Sequence, residues 1–198
     1  MTTEAVPSTA PSKEQFPAEN MHRSRRDELD NVVVDKMELL GLALLAGPAN
    51  VIMQLAVPAV GYGVYESKVE SGMLFKNPTK RTRTTLTYLA VAAMGSPELR
   101  KKYRLAVNKS HVHVRSDENS PVKYNAFDPQ LQLWVAACLY KGWEDVQRIY
   151  GNSAILTEEA YQQGAVMGTT LQMPRELWPA TRADFEEYWN STVANIEI

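Results

Sequence analysis

The side chains most able to do chemistry fall in two segments. The first is Lys80-Arg81-Thr82-Arg83-Thr84-Thr85-Leu86-Thr87-Tyr88, and the second is Asn108-Lys109-Ser110-His111-Val112-His113-Val114. Arg81, Thr84, Thr85 and Tyr88 stand at i, i+3, i+4 and i+7, so on a helix they share one face. That face would carry a guanidinium, two hydroxyls and a phenol, all donors suited to an anion, a carboxylate or an oxygenated ligand. The bland alternative is that the arginines are solvated and the threonines cap or pack. His111 and His113 belong to a set of only 3 histidines. An imidazole on a helix beside an apolar face either ligates haem iron or sits satisfied in a core. Helical angles do not choose between the two, because each lies near the edge of the stripe Leu99, Tyr103, Ala106 and Val107. His22, among polar N-terminal residues, is a poor ligand.

Other chemistries lack their residues. A zinc site needs three or four ligands at characteristic spacing, and no such Cys/His cluster occurs. There is no Gly-x-Ser-x-Gly elbow, no Glu-x-x-His pair for a di-iron bundle and no Gly-rich phosphate loop. A net charge of −2 and a pI near 6.0 argue against a nucleic-acid partner. The basic runs Arg23-Ser24-Arg25-Arg26 and Arg100-Lys101-Lys102-Tyr103-Arg104 read as solvated faces. Cys138, the single cysteine, lies in the apolar run Leu133–Leu139 and reads as a small buried hydrophobe. The N-terminus is polar and lacks an apolar signal region, so a reducing, cytoplasmic location is expected.

The elements that must position these side chains read as helices. Residues 1–26, with Pro7, Pro11 and Pro17 among small polar residues, read as a disordered tail, and 27–198 as one helical domain. A first helix is predicted over Val32–Ala46, breaking at Gly47-Pro48, and a second over Ala49–Gly61, interrupted at Pro58. No charged residue occurs from Leu39 to Tyr65, a length that could span a bilayer. The interruptions at Gly47-Pro48, Asn50, Gln54, Pro58 and Gly61 favour a buried helical hairpin, so no integral membrane span is expected. A third helix is predicted from Thr79 to Met94, closed by Gly95. Ser96-Pro97-Glu98 starts a fourth that reaches His111. Asp128-Pro129 opens a fifth that ends near Gly142, with Trp143–Tyr150 resuming after a break. Thr157-Glu158-Glu159 starts another, to about Met167, and Thr181-Arg182-Ala183-Asp184 forms a capping box with Asp in place of Glu. The fold class is all-α.

The order of segments resembles the superfamily of rubber oxygenases (latex clearing proteins) and fungal ER-bound oxygenases. The resemblance rests on Gln54–Val60, Gly63–Ser67, Arg81–Tyr88, His111–Val114, Tyr124–Pro129 with Leu133-Trp134-Val135, Trp178–Thr181 and Phe185–Tyr188. It covers about residues 37–190; no single motif is specific, and their order and spacing persuade. It implies a helical fold with a globin-like core that holds haem b on one axial histidine and activates O2 for cleavage of a carbon–carbon double bond. The histidine of that family's His-x-x-Val pattern matches His111, making it the metal ligand. The distal arginine and threonine match Arg81 and Thr85. Thr84 stands where the family carries a distal cation. Glu66 is the match for an upstream base carboxylate. Further departures are Val57 and Ala136, where many relatives have histidines, and a chain that stops soon after Trp189, where relatives continue.

The expected function is a haem-b-dependent oxygenase acting on a hydrophobic small molecule. Arg81, Thr85 and Glu66 would serve catalysis, and His111, Arg81 and Thr84 would hold the cofactor. A pocket lined by apolar side chains and tyrosines from residues 51–75 would take the substrate. The rival expectation is a non-catalytic helical protein that binds an apolar ligand or partner and has lost the cofactor. A short C-terminus would leave an apolar surface for a second copy to cover, so a homodimer is the expected assembly.

Overall fold

A computed structural model describes residues 38–69, 73, 76–150, 154 and 156–196, with side chains from Gly47 onward except that of Tyr150. The tail expected over 1–26 lies outside these residues, as does the start of the first predicted helix. The described elements are α1 (Glu38–Leu55), α2 (Pro58–Tyr65), α3 (Pro78–Met94), α4 (Pro97–His111), α5 (Pro129–Tyr150), α6 (Glu158–Gly164), α7 (Val166–Thr169), a 3-10 turn (Arg175–Leu177) and α8 (Arg182–Ala194). Among the described residues the only extended pairing is an isolated bridge between Arg115 and Asn125. The all-α expectation is therefore met.

The helix starts follow local chemistry. Ser96 accepts from the Leu99 amide at 3.3 Å, with Pro97 at the first helical position and Glu98 in the first turn. Thr181 and Asp184 cap each other's backbone amides reciprocally. Thr157 caps α6 through the Ala160 amide.

Two predicted breaks are absent. Pro48 lies inside α1 rather than ending a helix. Proline removes one backbone donor and crowds the preceding turn, but α1 packs against α5. Asn50 Nδ2 donates to the Cys138 carbonyl, Gln54 Nε2 donates to Asn50 Oδ1 at 2.5 Å, and Trp134 Nε1 donates to the Gln54 carbonyl at 3.2 Å. The polar residues of the apolar run thus form the seam between two helices. No described helix is long and apolar enough to cross a membrane. Nor does α5 break at Gly142; it is continuous to Tyr150. The helix expected from Thr157 to Met167 instead divides at Ala165 into α6 and α7.

The core forms around α5, which contacts α1, α6, α7 and the 3-10 turn. Leu133, Ala136, Ala137 and Tyr140 of α5 meet Tyr161, Met173, Trp178 and Phe185. Tyr140 takes Phe185, Tyr161 and Trp178 edge-on at centroid distances of 5.0, 5.3 and 5.8 Å, the arrangement aromatic quadrupoles prefer. Cys138 is buried as expected, and burial pushes its thiol pKa far up.

Candidate functional site

α3 and α4 form the frame of the site. Pro78 opens α3, and the hydroxyls of Thr84, Thr85 and Thr87 donate back to the carbonyls of Lys80, Arg81 and Arg83 at 2.8, 3.0 and 2.8 Å. Tyr88 donates its phenol to the Met167 carbonyl, fastening α3 to α7. Tyr103 of α4 donates to the Thr84 carbonyl at 3.2 Å, with the two tyrosine rings 6.3 Å apart. The sequence-predicted donor face is thus largely used up within the fold. Thr84, Thr85 and Tyr88 spend their protons on backbone carbonyls, and Arg81 is the remaining donor.

Arg81 is partly buried, and among the described residues no carboxylate pairs with it. Burial lowers its pKa, opposed by the phenol of Tyr103. Burial also raises the pKa of Tyr88 and, against the pull of Arg81, that of Tyr103.

His111 ends α4. The chain then turns into the Arg115–Asn125 bridge, where Ser116 and Ala126 amides donate to Tyr124 and Val114 carbonyls at 2.9 Å each. This return brings Phe127 edge-on to the imidazole, at 6.3 Å and 77°. His111 Nδ1 is buried without a hydrogen-bond partner, whereas His113 is exposed. Burial first, and the Arg81 charge second, hold the His111 pKa below the usual imidazole value. The ring is therefore neutral at pH 7, the form that binds a metal.

Glu66 belongs to a neighbouring cluster. It caps α2, and its Oε2 accepts from Ser120 Oγ and Tyr124 Oη at 2.7 Å each. Gly63 permits this approach, since a Cβ there would stand 3.3 Å from the Tyr124 ring. Arg81 and His111 are thus brought together electrostatically, Thr84 and Thr85 lie on the same turn of α3 as Arg81, and the contacts of Glu66 run to the loop between α4 and α5.

Three further features escaped sequence reasoning. Asn108 Oδ1 and Thr170 Oγ1 are also buried without partners, while Asn108 Nδ2 donates to Gln172 Oε1 at 3.2 Å. Arg100 is 2% exposed, so the basic run at the start of α4 is not wholly a solvated face. The third is an open groove of about 900 Å³ lined by Thr82, Leu86, Ala90, Val91, Met94 and Leu99. Thr82, Leu86 and Ala90 lie on the side of α3 roughly opposite Arg81, Thr85 and Tyr88. Among the described residues, the groove draws none of its lining from 51–75, the stretch expected to supply a pocket. Of that stretch, Ile52 and Tyr65 are exposed.

The arrangement offers one neutral imidazole to a metal and, to an anionic group, one guanidinium that no carboxylate among the described residues pairs with. Both suit a haem: a desolvated nitrogen for iron and a partly buried cation for a carboxylate.

The chain is 53% identical over 157 residues to a protein of Mycobacterium bovis and, equally, to one of Mycobacterium tuberculosis, both described as uncharacterized. Each match covers 78% of this chain and 62% of the relative, so the chain spans less than two thirds of their length. No solved structure matches. The family described as ER-bound oxygenase mpaB/B'/Rubber oxygenase, catalytic domain, matches residues 36–198, taking in both the Arg81 turn of α3 and the His111 end of α4. By the extent of that match, the chain belongs to this family of oxygenase catalytic domains.

Proposed function

We propose that this protein is a haem-b-dependent oxygenase acting on a hydrophobic small molecule, with His111 as the iron ligand. The observation that carries the reading is a buried imidazole nitrogen with no hydrogen-bond partner, within the field of a partly buried guanidinium that no carboxylate among the described residues pairs with. A desolvated polar atom left unmade is costly, on the order of 1–3 kcal/mol, and a ligand that engages the pair removes that cost. His111 holds the iron as a neutral ring. Arg81 would orient O2 or pair with a carboxylate of the cofactor. Thr84 and Thr85 act as acceptors, their own protons being committed to the helix. Glu66 is the base; both hydroxyl donors go to Oε2, which leaves Oε1 to take a proton. When bound, haem supplies the redox-active iron for O2 chemistry.

The test is oxygenation of an unsaturated hydrocarbon emulsion by the haem-loaded chain. One O2 is consumed for each double bond converted to two carbonyls. Arg81→Ala is expected to lower the rate about 100-fold. No O2 uptake by a fully haem-loaded protein contradicts an oxygenase role.

The groove on α3 favours a second reading, a helical protein that binds an apolar ligand without catalysis. Under it, an apolar fluorophore binds whether or not haem is supplied, and Leu86→Glu abolishes that binding.

A further inference from the structure

The groove on the outer side of α3 is polarised along its length. Its lining climbs the helix by single turns, with Thr79, Thr82 and Arg83 at the first end. Beyond them the walls are apolar: Leu86, Ala90, Val91 and Met94 of α3, with Leu99 contributed by α4. Thr87 lies in that stretch, but its hydroxyl proton goes to the Arg83 carbonyl at 2.8 Å. Met94 and Leu99 remain 37% and 45% exposed, so the far end has apolar surface left to bury. Arg83 is the one charged residue of the lining, and among the described residues no carboxylate pairs with it. Glu98, next to Leu99 in sequence, belongs with the far end and does not line the groove. The groove therefore offers one exposed guanidinium with hydroxyls beside it, and a greasy wall over the rest.

We infer that this groove binds a long-chain carboxylate, its head on Arg83 and its tail along Leu86, Ala90, Val91, Met94 and Leu99. A guanidinium takes a carboxylate through two parallel hydrogen bonds, and the hydroxyls of Thr79 and Thr82 add donors at the same end. A neutral hydrocarbon would cover the apolar wall and leave the cation without a partner. A small anion would do the reverse. A phosphate monoester carries close to two charges, which one arginine does not balance. The helix rises about 16 Å from Arg83 to Met94, the reach of a long acyl chain. A volume of about 900 Å³ falls within the range of ligand sites. The assignment rests on the apolar-ligand reading of the groove and names its ligand class. It does not require haem, since the groove lies on the side of α3 away from Arg81.

The test uses the full chain with oleate, kept below the concentration at which it forms micelles, and oleyl alcohol as the neutral molecule of the same chain. Displacement of Nile red, a neutral apolar dye, reads the binding of each. Oleate is expected to bind at least about threefold more tightly than the alcohol. Arg83→Gln is expected to remove that preference and leave the alcohol unchanged; Arg83 is exposed, so the change does not touch the core. Arg83→Lys is expected to keep most of the preference. Arg115→Gln, at an exposed arginine outside the groove, is expected to alter neither ligand. Leu86→Glu is expected to lose both, which locates them along α3. An alcohol that binds as tightly as oleate, or a preference for oleate that survives Arg83→Gln, overturns the inference and leaves the apolar-ligand reading standing. Binding of neither molecule overturns both.

Discussion

A guanidinium and an imidazole set together out of water are each pushed toward their neutral forms. The effect is larger in consequence for His111, whose ordinary pKa lies closest to neutrality. Its folded value is lowered, first by burial and then by Arg81. The unfolded chain therefore takes up this proton at a higher pH than the folded chain, and folding stability falls as pH drops through the ordinary imidazole range. An NMR titration is expected to place His111 below its usual midpoint of 6.5. Arg81→Leu is expected to recover only part of the shift, because burial remains.

Glu144 adds to the same acid sensitivity by a different route. It is 1% exposed and paired with Arg182 at 2.6 Å, Lys141 at 2.8 Å and Arg148 at 3.4 Å. Burial alone would raise its pKa, but the hydrogen bonds and charges of these cations outweigh burial and hold it below the usual value. That contribution is fully present above the ordinary carboxylate pKa of 4.5 and is lost as pH falls through the lower folded value. Glu144→Gln is expected to destabilise by about 1–3 kcal/mol, because it removes the buried carboxylate that the partly buried Lys141 and Arg182 bond to. Urea unfolding at pH 7 checks it; a loss under about 0.5 kcal/mol, typical of a surface site, contradicts it. Little of this was legible in the sequence. Lys141-Gly142-Trp143-Glu144-Asp145 marks only a predicted helix break at Gly142, and the cation that completes the cluster, Arg182, comes from the far end of the chain. His111 and His113 were likewise inseparable by helical angle. What separates them is the turn after α4, which carries Phe127 back onto one ring and leaves the other exposed.

At the scale of elements, what is encoded locally was readable and what depends on a neighbour was not. Ser96, Thr157 and Thr181 announce helix starts because a cap and its amides lie within three residues of each other. Pro48 and Gly142 failed as break signals because packing against α5, and the length of α5 itself, override local propensity. The division between α6 and α7 has a packing counterpart at Gly164. A Cβ there would stand 2.6 Å from the Tyr140 ring and 3.4 Å from Trp178, both fixed in the aromatic core. Gly164→Ala is expected to destabilise by about 1–3 kcal/mol despite alanine's better helix propensity. A thermal unfolding midpoint at or above that of the wild type contradicts it. Tyr140→Leu in the same background is expected to relieve most of the added cost.

Across the whole molecule, the all-α class followed from periodicity and caps, and the family from the order of motifs. The pairing of helices did not follow from either. It places α5 at the centre, brings α3, α4 and the chain after α7 together, and turns the apolar side of α3 outward as a groove. Nor could the face Arg81, Thr84, Thr85 and Tyr88 be judged from spacing alone. The helix and α7 take the protons of three of its four donor groups, and the arginine is left. Cys138, whose backbone carbonyl accepts from Asn50 in the α1–α5 seam, carries a buried thiol. It is expected to resist iodoacetamide at pH 8 in the native protein and to react once unfolded. Rapid native labelling would show that this seam opens readily.

The proposed oxygenase needs one imidazole, His111, to hold a haem. Titrating haem into the purified chain and recording the Soret band tests this. A saturable, shifted band is expected in the wild type and in His113→Ala, and its loss in His111→Ala. A band that survives His111→Ala unchanged, or that disappears only in His113→Ala, contradicts it.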